Sequence, residues 1–194
     1  INLSKGRIGE ENSSFFGSMF LTKIKQAGME RAAMPESARK DFYIYVDEFQ
    51  NVVTQTFENI LSEARKYGLN LTMAHQYVGQ IITKVHQAVL GNCGSIITFR
   101  IGGEDAVKMK PEFSPLFDVK DMINLAVTEF YIKMTIDGES YDPFSAETLR
   151  VLPPTHTSYR QEIIDASRRK YSIPKGDAAK LIISGYCEEV FQQL

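Results

Sequence analysis

No apolar run in this 194-residue sequence approaches the roughly 20 residues that a membrane-spanning helix needs, and its start has no basic-then-apolar signal layout. Any membrane attachment must come from elsewhere. Cysteine is scarce: Cys93 and Cys187 lack metal-ligand spacing and fit reduced thiols of a cytosolic compartment better than a disulfide scaffold. Excess charge is missing too, since 22 Lys+Arg stand against 24 Asp+Glu for a formal net charge of -2. That balance argues against a broadly basic face that coats nucleic acid, though not against a local contact loop or pore. There is no internal repeat and no low-complexity segment. Nor does Gly-x-x-x-x-Gly-Lys-Ser/Thr occur; Gly6 and Gly9 have no following Lys-Ser/Thr, so they do not make that phosphate cradle. What is present, 43% hydrophobic and 24% charged residues, suits one good core with a small appendage.

The most informative stretch is Phe42-Tyr43-Ile44-Tyr45-Val46-Asp47-Glu48. Five β-branched or aromatic residues in a row read as a strand buried on both faces, and two carboxylates at its C-terminal end lie where an α/β sheet presents chemistry. That is the shape of a Walker B strand, in which one carboxylate holds Mg²⁺ through its water shell and a second orients the attacking water. The same pattern also describes an ordinary core strand whose next two residues start a loop or cap a helix.

Before it, residues 1–4 read as the end of a strand, and Lys5 to Gly9 as a turn. Beginning at Ile1 and not Met, the sequence is expected to be part of a longer protein. Helical spacing of Phe15, Phe16, Met19, Phe20, Ile24 and Ala27 predicts a packing helix over 12–29, with Ser13 and Ser14 as caps, followed by a surface connection over 31–40. After Glu48, Val53, Phe57, Ile60, Leu61 and Ala64 mark a helix that stops at Gly68. Arg65 lies off its apolar face, where a helix dipole favours a solvated cation.

A second strand over 69–74 ends in His75-Gln76, a helix spans 78–90, and a third strand over 95–100 ends in Arg100. Alternating strands and helices with short connections predict a parallel sheet whose ligand edge carries Asp47, Glu48, Gln76 and Arg100. Short helices are expected at 104–109 and 118–125, separated by Pro111 and Pro115. A hairpin turns at Asp137-Gly138 between a strand at 129–136 and a return over 140–144. Pro153-Pro154 divides residues 1–150 from a tail of two helices over 151–194, and Arg168-Arg169-Lys170 reads as a solvated helix end. The loop over 102–111, with Lys108 and Lys110, reads first as an ordinary solvated loop and second as a candidate DNA contact.

The segment 41–50 (DFYIYVDEFQ), then 61–71 (LSEARKYGLNL), then Ala74-His75-Gln76-Tyr77, closely resembles the motor domain of type IV secretion coupling proteins. These are the TraG/TraD-like conjugative DNA-transfer ATPases, relatives of the FtsK and HerA translocases. Residues 91–102 and the Asn2-Leu3-Ser4-Lys5-Gly6 opening are also similar to that family, so the resemblance covers roughly 1–146.

The resemblance implies a three-layer RecA-like P-loop core, partial because the Walker A strand is absent, with a small C-terminal helical tail. It implies ATP and Mg²⁺: Asp47 holding the metal through water, Glu48 polarising the attacking water, Gln76 sensing the γ-phosphate, and Arg65 serving a neighbouring subunit as an arginine finger. Arg100 is left as a phosphate sensor, an interface residue or a strand-end charge. The phosphate loop and membrane helices lie N-terminal in the family, which makes this chain the C-terminal half of the motor. Implied partners are DNA through a ring pore, further copies in a hexamer, and secretion-channel and relaxosome proteins. The implied location is cytoplasmic, with the parent at the cytoplasmic face of the bacterial inner membrane. Two alternatives stand beside this: a non-catalytic binding module, and a HerA-like DNA-processing translocase.

Overall fold

The computed structural model describes residues 1–53, 57–153, 155 and 157–183. They form two compact units, Ile1–Thr148 and Leu149–Leu194.

The first unit is mixed α/β, with small sheets and helices. A helical turn α1 (Lys5–Ile8) leads through Gly9, at φ 84°, into the long helix α2 (Glu10–Glu30). Residues 1–4 therefore end no strand and 5–9 are no simple turn. Ser13 Oγ donates to the Leu3 carbonyl at 2.6 Å, which ties the N-terminal segment to α2. Ser13 is thus buried inside the helix and not a cap; Glu10 and Glu11 complement the dipole at its start.

Strand β1 (Phe42–Val46) pairs in parallel with β2 (Leu69–Met73), in the register Phe42↔Leu69 to Val46↔Met73. The chain between them makes a 3-10 turn (Phe49–Asn51), helix α3 (Phe57–Glu63) and a second 3-10 turn (Ala64–Tyr67) that ends at Gly68, φ 67°. The helix expected to run from Val53 to about Tyr67 is α-helical over Phe57–Glu63 and tightens to 3-10 geometry over Ala64–Tyr67. Beyond Gln76 come a 3-10 turn (Val78–Gln80) and α4 (Thr83–Asn92). The first core gathers Leu21 of α2, Ile44 of β1, Phe49, Phe57, Ile60 and Ala64, with Leu69, Ile81 and Val85.

Burial of β1 on both faces does not hold. Ile44 is 9% exposed, whereas Tyr43 and Tyr45 are 61% and 75% exposed. Strand side chains alternate between faces, and only the Ile44 face meets the first core.

The three-stranded parallel sheet is also corrected. Strand β3 (Ser95–Thr98) pairs antiparallel with β4 (Glu129–Ile136), which pairs antiparallel with β5 (Glu139–Ser140) and β6 (Phe144–Glu147). Thr98 of β3 is buried while Ser95 and Ile97 are exposed, a one-faced pattern that suits an antiparallel sheet better than a doubly covered parallel one. Helices α5 (Gly103–Phe113) and α6 (Val119–Ile123) accompany this sheet, and Val78, Ala106, Met109, Phe113 and Met122 form the second core. The short helix expected at 104–109 is present as α5 and is longer than expected, so Lys108 and Lys110 lie on a helix and not on the loop also considered for 102–111. Pro111 lies in the last turn of α5, where it cannot donate the usual backbone hydrogen bond, and the helix ends two residues later at Phe113; Lys110 pairs with Asp118 at 2.9 Å.

In the second unit α7 (Arg160–Tyr171) and α8 (Lys175–Ile183) match the two expected tail helices. Arg168, Arg169 and Lys170 fall in the last turn of α7, where the helix dipole favours cations. Pro154, Cys187 and the expected continuation of the last helix to 192 lie outside the described residues.

Candidate functional site

The parallel pair delivers its C-terminal ends side by side. Past β1 and β2 the pairing continues, with the Ala74 N–H donating to Val46 O at 2.9 Å and the Phe49 N–H to Ala74 O at 3.0 Å. Asp47 and Glu48 on one strand end thus stand beside His75 and Gln76 on the other.

Glu48 adopts a left-handed backbone, φ 50° and ψ 45°, which a non-glycine residue takes up at some cost. The compensation is on either side. Phe49 is 1% exposed and stacks on Phe57, ring centroids 6.2 Å apart, so the residue after Glu48 is anchored in the core. Both carboxylate oxygens of Glu48 are held: Gln76 Nε2 donates to Oε1 at 2.6 Å, and Gln50 Nε2 donates to Oε2 at 2.5 Å. Asp47 is exposed, and its Oδ1 accepts the Glu48 N–H at 3.0 Å.

A cleft of about 370 Å³ opens here, lined by Lys5, Glu10, Glu48, Gln50, Asn51, Gln76 and Tyr77. Lys5 Nζ lies 2.6 Å from Glu10 Oε1, and this hydrogen bond and charge hold the Glu10 carboxyl below its ordinary range. Behind Gln76, the His75 ring packs against Phe49 at 5.2 Å. Burial pushes the His75 pKa down, against the opposing pull of its own backbone hydrogen bond and of the Asp105 and Glu48 carboxylates.

Of the residues read from the sequence, the fold brings Glu48 and Gln76 together in the cleft. Asp47 stands beside Glu48 but is exposed and, like Arg65 and Arg100, does not line the cleft. Arg65 is exposed on the 3-10 turn Ala64–Tyr67, which is fastened by two other arginines: Arg31 Nη1 donates to Tyr67 O at 2.9 Å and Arg39 Nη1 to Lys66 O at 2.5 Å. Arg100 is exposed just beyond β3, the strand that joined the other sheet. The sequence reading missed Lys5, Glu10, Gln50, Asn51 and Tyr77 as site residues. Gln50 and Tyr77 are the last residues of the 41–50 and 74–77 segments that carry the resemblance, and that membership is the signal that points to them.

Among the described residues no group of three or more His, Cys, Asp or Glu is placed to hold a metal, and no helix is long and apolar enough to cross a membrane.

Residues 41–115 match the family model for the TraM recognition site of TraD and TraG. The match supports a conjugation coupling-protein region of the TraG/TraD type, and it spans β1 through α5, including Asp47, Glu48, Arg65, Gln76 and Arg100. It covers less than half of the chain and leaves out α2 and Lys5. A search of the curated proteins finds no match.

Proposed function

We propose that this chain supplies the water-activating side of an ATP-hydrolysing, RecA-like motor that drives DNA toward a conjugation or secretion channel. The observation that carries the reading is the Asp47-Glu48 pair at the end of one parallel strand, with Gln76 from the end of the next bonded to Glu48 at 2.6 Å. Oxygen donors of this kind suit Mg²⁺, which is held by one or two carboxylates together with substrate phosphates and not by a full protein cage. Asp47 is the residue that would hold it, and Mg²⁺ would supply neutralisation of phosphate charge. Glu48 accepts a proton from, and orients, the attacking water. Gln76 reads the γ-phosphate. Arg65, exposed on its fastened turn, is offered to the nucleotide of a neighbouring subunit, and Arg100 serves as a phosphate sensor or interface residue. The cradle for the β- and γ-phosphates must come from a segment with a phosphate loop.

In this reading the working form is a ring, six-membered by the family resemblance, on the cytoplasmic side of the bacterial inner membrane. Its partners include DNA, the secretion channel and a relaxosome protein of the TraM kind. The partner proposal draws on the description of the matched family.

The test is turnover in a longer chain that includes a phosphate loop. Glu48→Gln should lower kcat by about 10²- to 10⁴-fold and Arg65→Ala by about 10³- to 10⁵-fold. Mixing the two variants should restore part of the activity if Arg65 acts in trans. The 194-residue chain alone should not hydrolyse ATP, because positioning and charge stabilisation carry nearly all of this catalysis. Mg²⁺-dependent turnover by this chain that vanishes in Glu48→Gln would refute the division of labour.

A second reading is a non-catalytic recognition module for a TraM-like protein, favoured by the match to the TraM recognition site of TraD and TraG. It predicts TraM-like binding that survives Glu48→Gln in a protein with no ATPase activity.

A further inference from the structure

We infer that Gln50 is a positioning residue that fixes the plane of the Glu48 carboxylate; this rests on the proposed role of Glu48 as the group that orients the attacking water. A glutamate carboxylate is soft about its last torsion, so a single hydrogen bond leaves its plane loosely defined. Here two amides grip separate oxygens, Gln76 Nε2 on Oε1 at 2.6 Å and Gln50 Nε2 on Oε2 at 2.5 Å. Each oxygen can accept a second hydrogen bond, so the clamp leaves acceptor capacity for a water.

The two amides arrive from different places. Gln76 stands at the end of β2, whereas Gln50 is two residues from Glu48 on the 3-10 turn Phe49–Asn51. That turn follows directly from the left-handed backbone at Glu48 and is anchored by buried Phe49.

Gln50 is not explained as a stabilising residue. Its Oε1 is buried and has no hydrogen-bond partner, and an unmet buried acceptor costs stability. Turning the amide over would set Oε1 against the Glu48 carboxylate, so the carboxylate dictates the orientation and the interior bears the cost. An apolar residue of similar size would remove that cost and lose the grip on Glu48.

The test has one arm that needs no nucleotide. In the 194-residue chain, the side-chain N–H groups of Gln50 and Gln76 that face Glu48 should exchange about tenfold or more slowly than those of exposed glutamines. Glu48→Leu should release both. Gln50→Leu should keep or raise the melting temperature. In a chain that includes a phosphate loop, Gln50→Leu should lower kcat about 10- to 100-fold with KM within about twofold, because the lost interaction belongs to the transition state. Gln50→Glu keeps the shape but sets two carboxylates together, which favours sharing of one proton. Its activity should therefore recover as pH falls from about 8 to about 6, a profile that wild type lacks.

A Gln50 amide that exchanges freely and ignores Glu48→Leu overturns the inference, as does a Gln50→Leu kcat within about twofold of wild type in an enzyme that Glu48→Gln inactivates. If the longer chain shows no ATPase activity at all, it is the motor reading that fails, and amide exchange still decides the contact.

Discussion

Gly17 of α2 makes a close approach that can be tested quantitatively. A Cβ added there would lie 2.2 Å from Val52 Cγ1 and 3.0 Å from Val52 Cβ. Val52 is β-branched, with a stiff side chain, and immediately follows the turn that carries Gln50 and Asn51. Two effects of Gly17→Ala oppose each other. Alanine in a helix interior gains about 0.8–1.0 kcal/mol over glycine, while overpacking costs about 1–3 kcal/mol. Overpacking should win, leaving a net loss of about 1 kcal/mol and a melting temperature lower by about 2–4 °C. Val52→Ala removes the 2.2 Å contact but keeps a Cβ at 3.0 Å, so in that background Gly17→Ala should lose most, not all, of its cost. The coupling energy is then about 1 kcal/mol. Gly91 of α4 is the control: an added Cβ there meets nothing within 4 Å, so Gly91→Ala should stabilise by up to about 1 kcal/mol. Urea unfolding followed by helical circular dichroism measures wild type and the four variants. If Gly17→Ala stabilises as much as Gly91→Ala, α2 does not seat against the Val52 segment as described.

Two further predictions concern the support under the site. Phe49→Ala should cost about 3–5 kcal/mol in the same assay, through lost burial and the cavity left beside Phe57 and His75, whereas Tyr45→Ala, at a residue 75% exposed, should stay within about 0.5 kcal/mol. The second is a pH dependence. Burial pushes His75 and His86 down from 6.5; His75 and Lys108 add to the shift at His86, Asp105 and Glu112 oppose it there, and a backbone hydrogen bond, Asp105 and Glu48 oppose it at His75. With folded values depressed, the unfolded chain binds more protons just below 6.5, so this contribution is fully present above 6.5 and is lost as pH falls toward the folded values. The melting temperature should therefore drop between about pH 7.5 and 5.5, and replacing both histidines with glutamine should flatten that drop.

Much of this fold was legible because its signals are local. The spacing of Phe15, Phe16, Met19 and Phe20 located α2 but not its packing face, since these four are exposed while Ser13, Gly17, Leu21 and Gly28 are buried; Asp137-Gly138, with φ 52° and 86°, found the turn between β4 and β5. The partner of β3 was not legible. Four residues, Ser95–Thr98, fit either kind of sheet, and the choice rests on antiparallel pairing with Tyr131 to Met134, more than thirty residues away. The apolar run of β1 likewise does not say whether one face or two will be covered. Within the site, Glu48 and Gln76 could be brought together from sequence because both end predicted strands. The Gln50 contact depends on a left-handed backbone at Glu48, and glutamate, unlike glycine or asparagine, carries no signal for that conformation.

The charge of the cleft bears on how much of an active site one chain can hold. Its lining carries one cation, Lys5, already bonded to Glu10, alongside the Glu48 carboxylate. Such a lining suits a water or a hydrated cation and repels the phosphates of a nucleotide, which require cations or converging backbone N–H groups. The arginines that could offset this lie elsewhere. Arg31 and Arg39 spend their guanidinium groups on the carbonyls of Tyr67 and Lys66, which stiffens the turn that presents Arg65 to solvent. An arginine on a hydrogen-bonded, outward-facing turn loses less further freedom when it meets an anion on another surface, and Arg65 precedes β2 whereas the cleft residues Gln76 and Tyr77 follow its other end. Under the proposed reading, the chain keeps the water-activating groups for itself and offers its rigid cation to a neighbour, so activity should depend on protein concentration wherever the ring assembles reversibly.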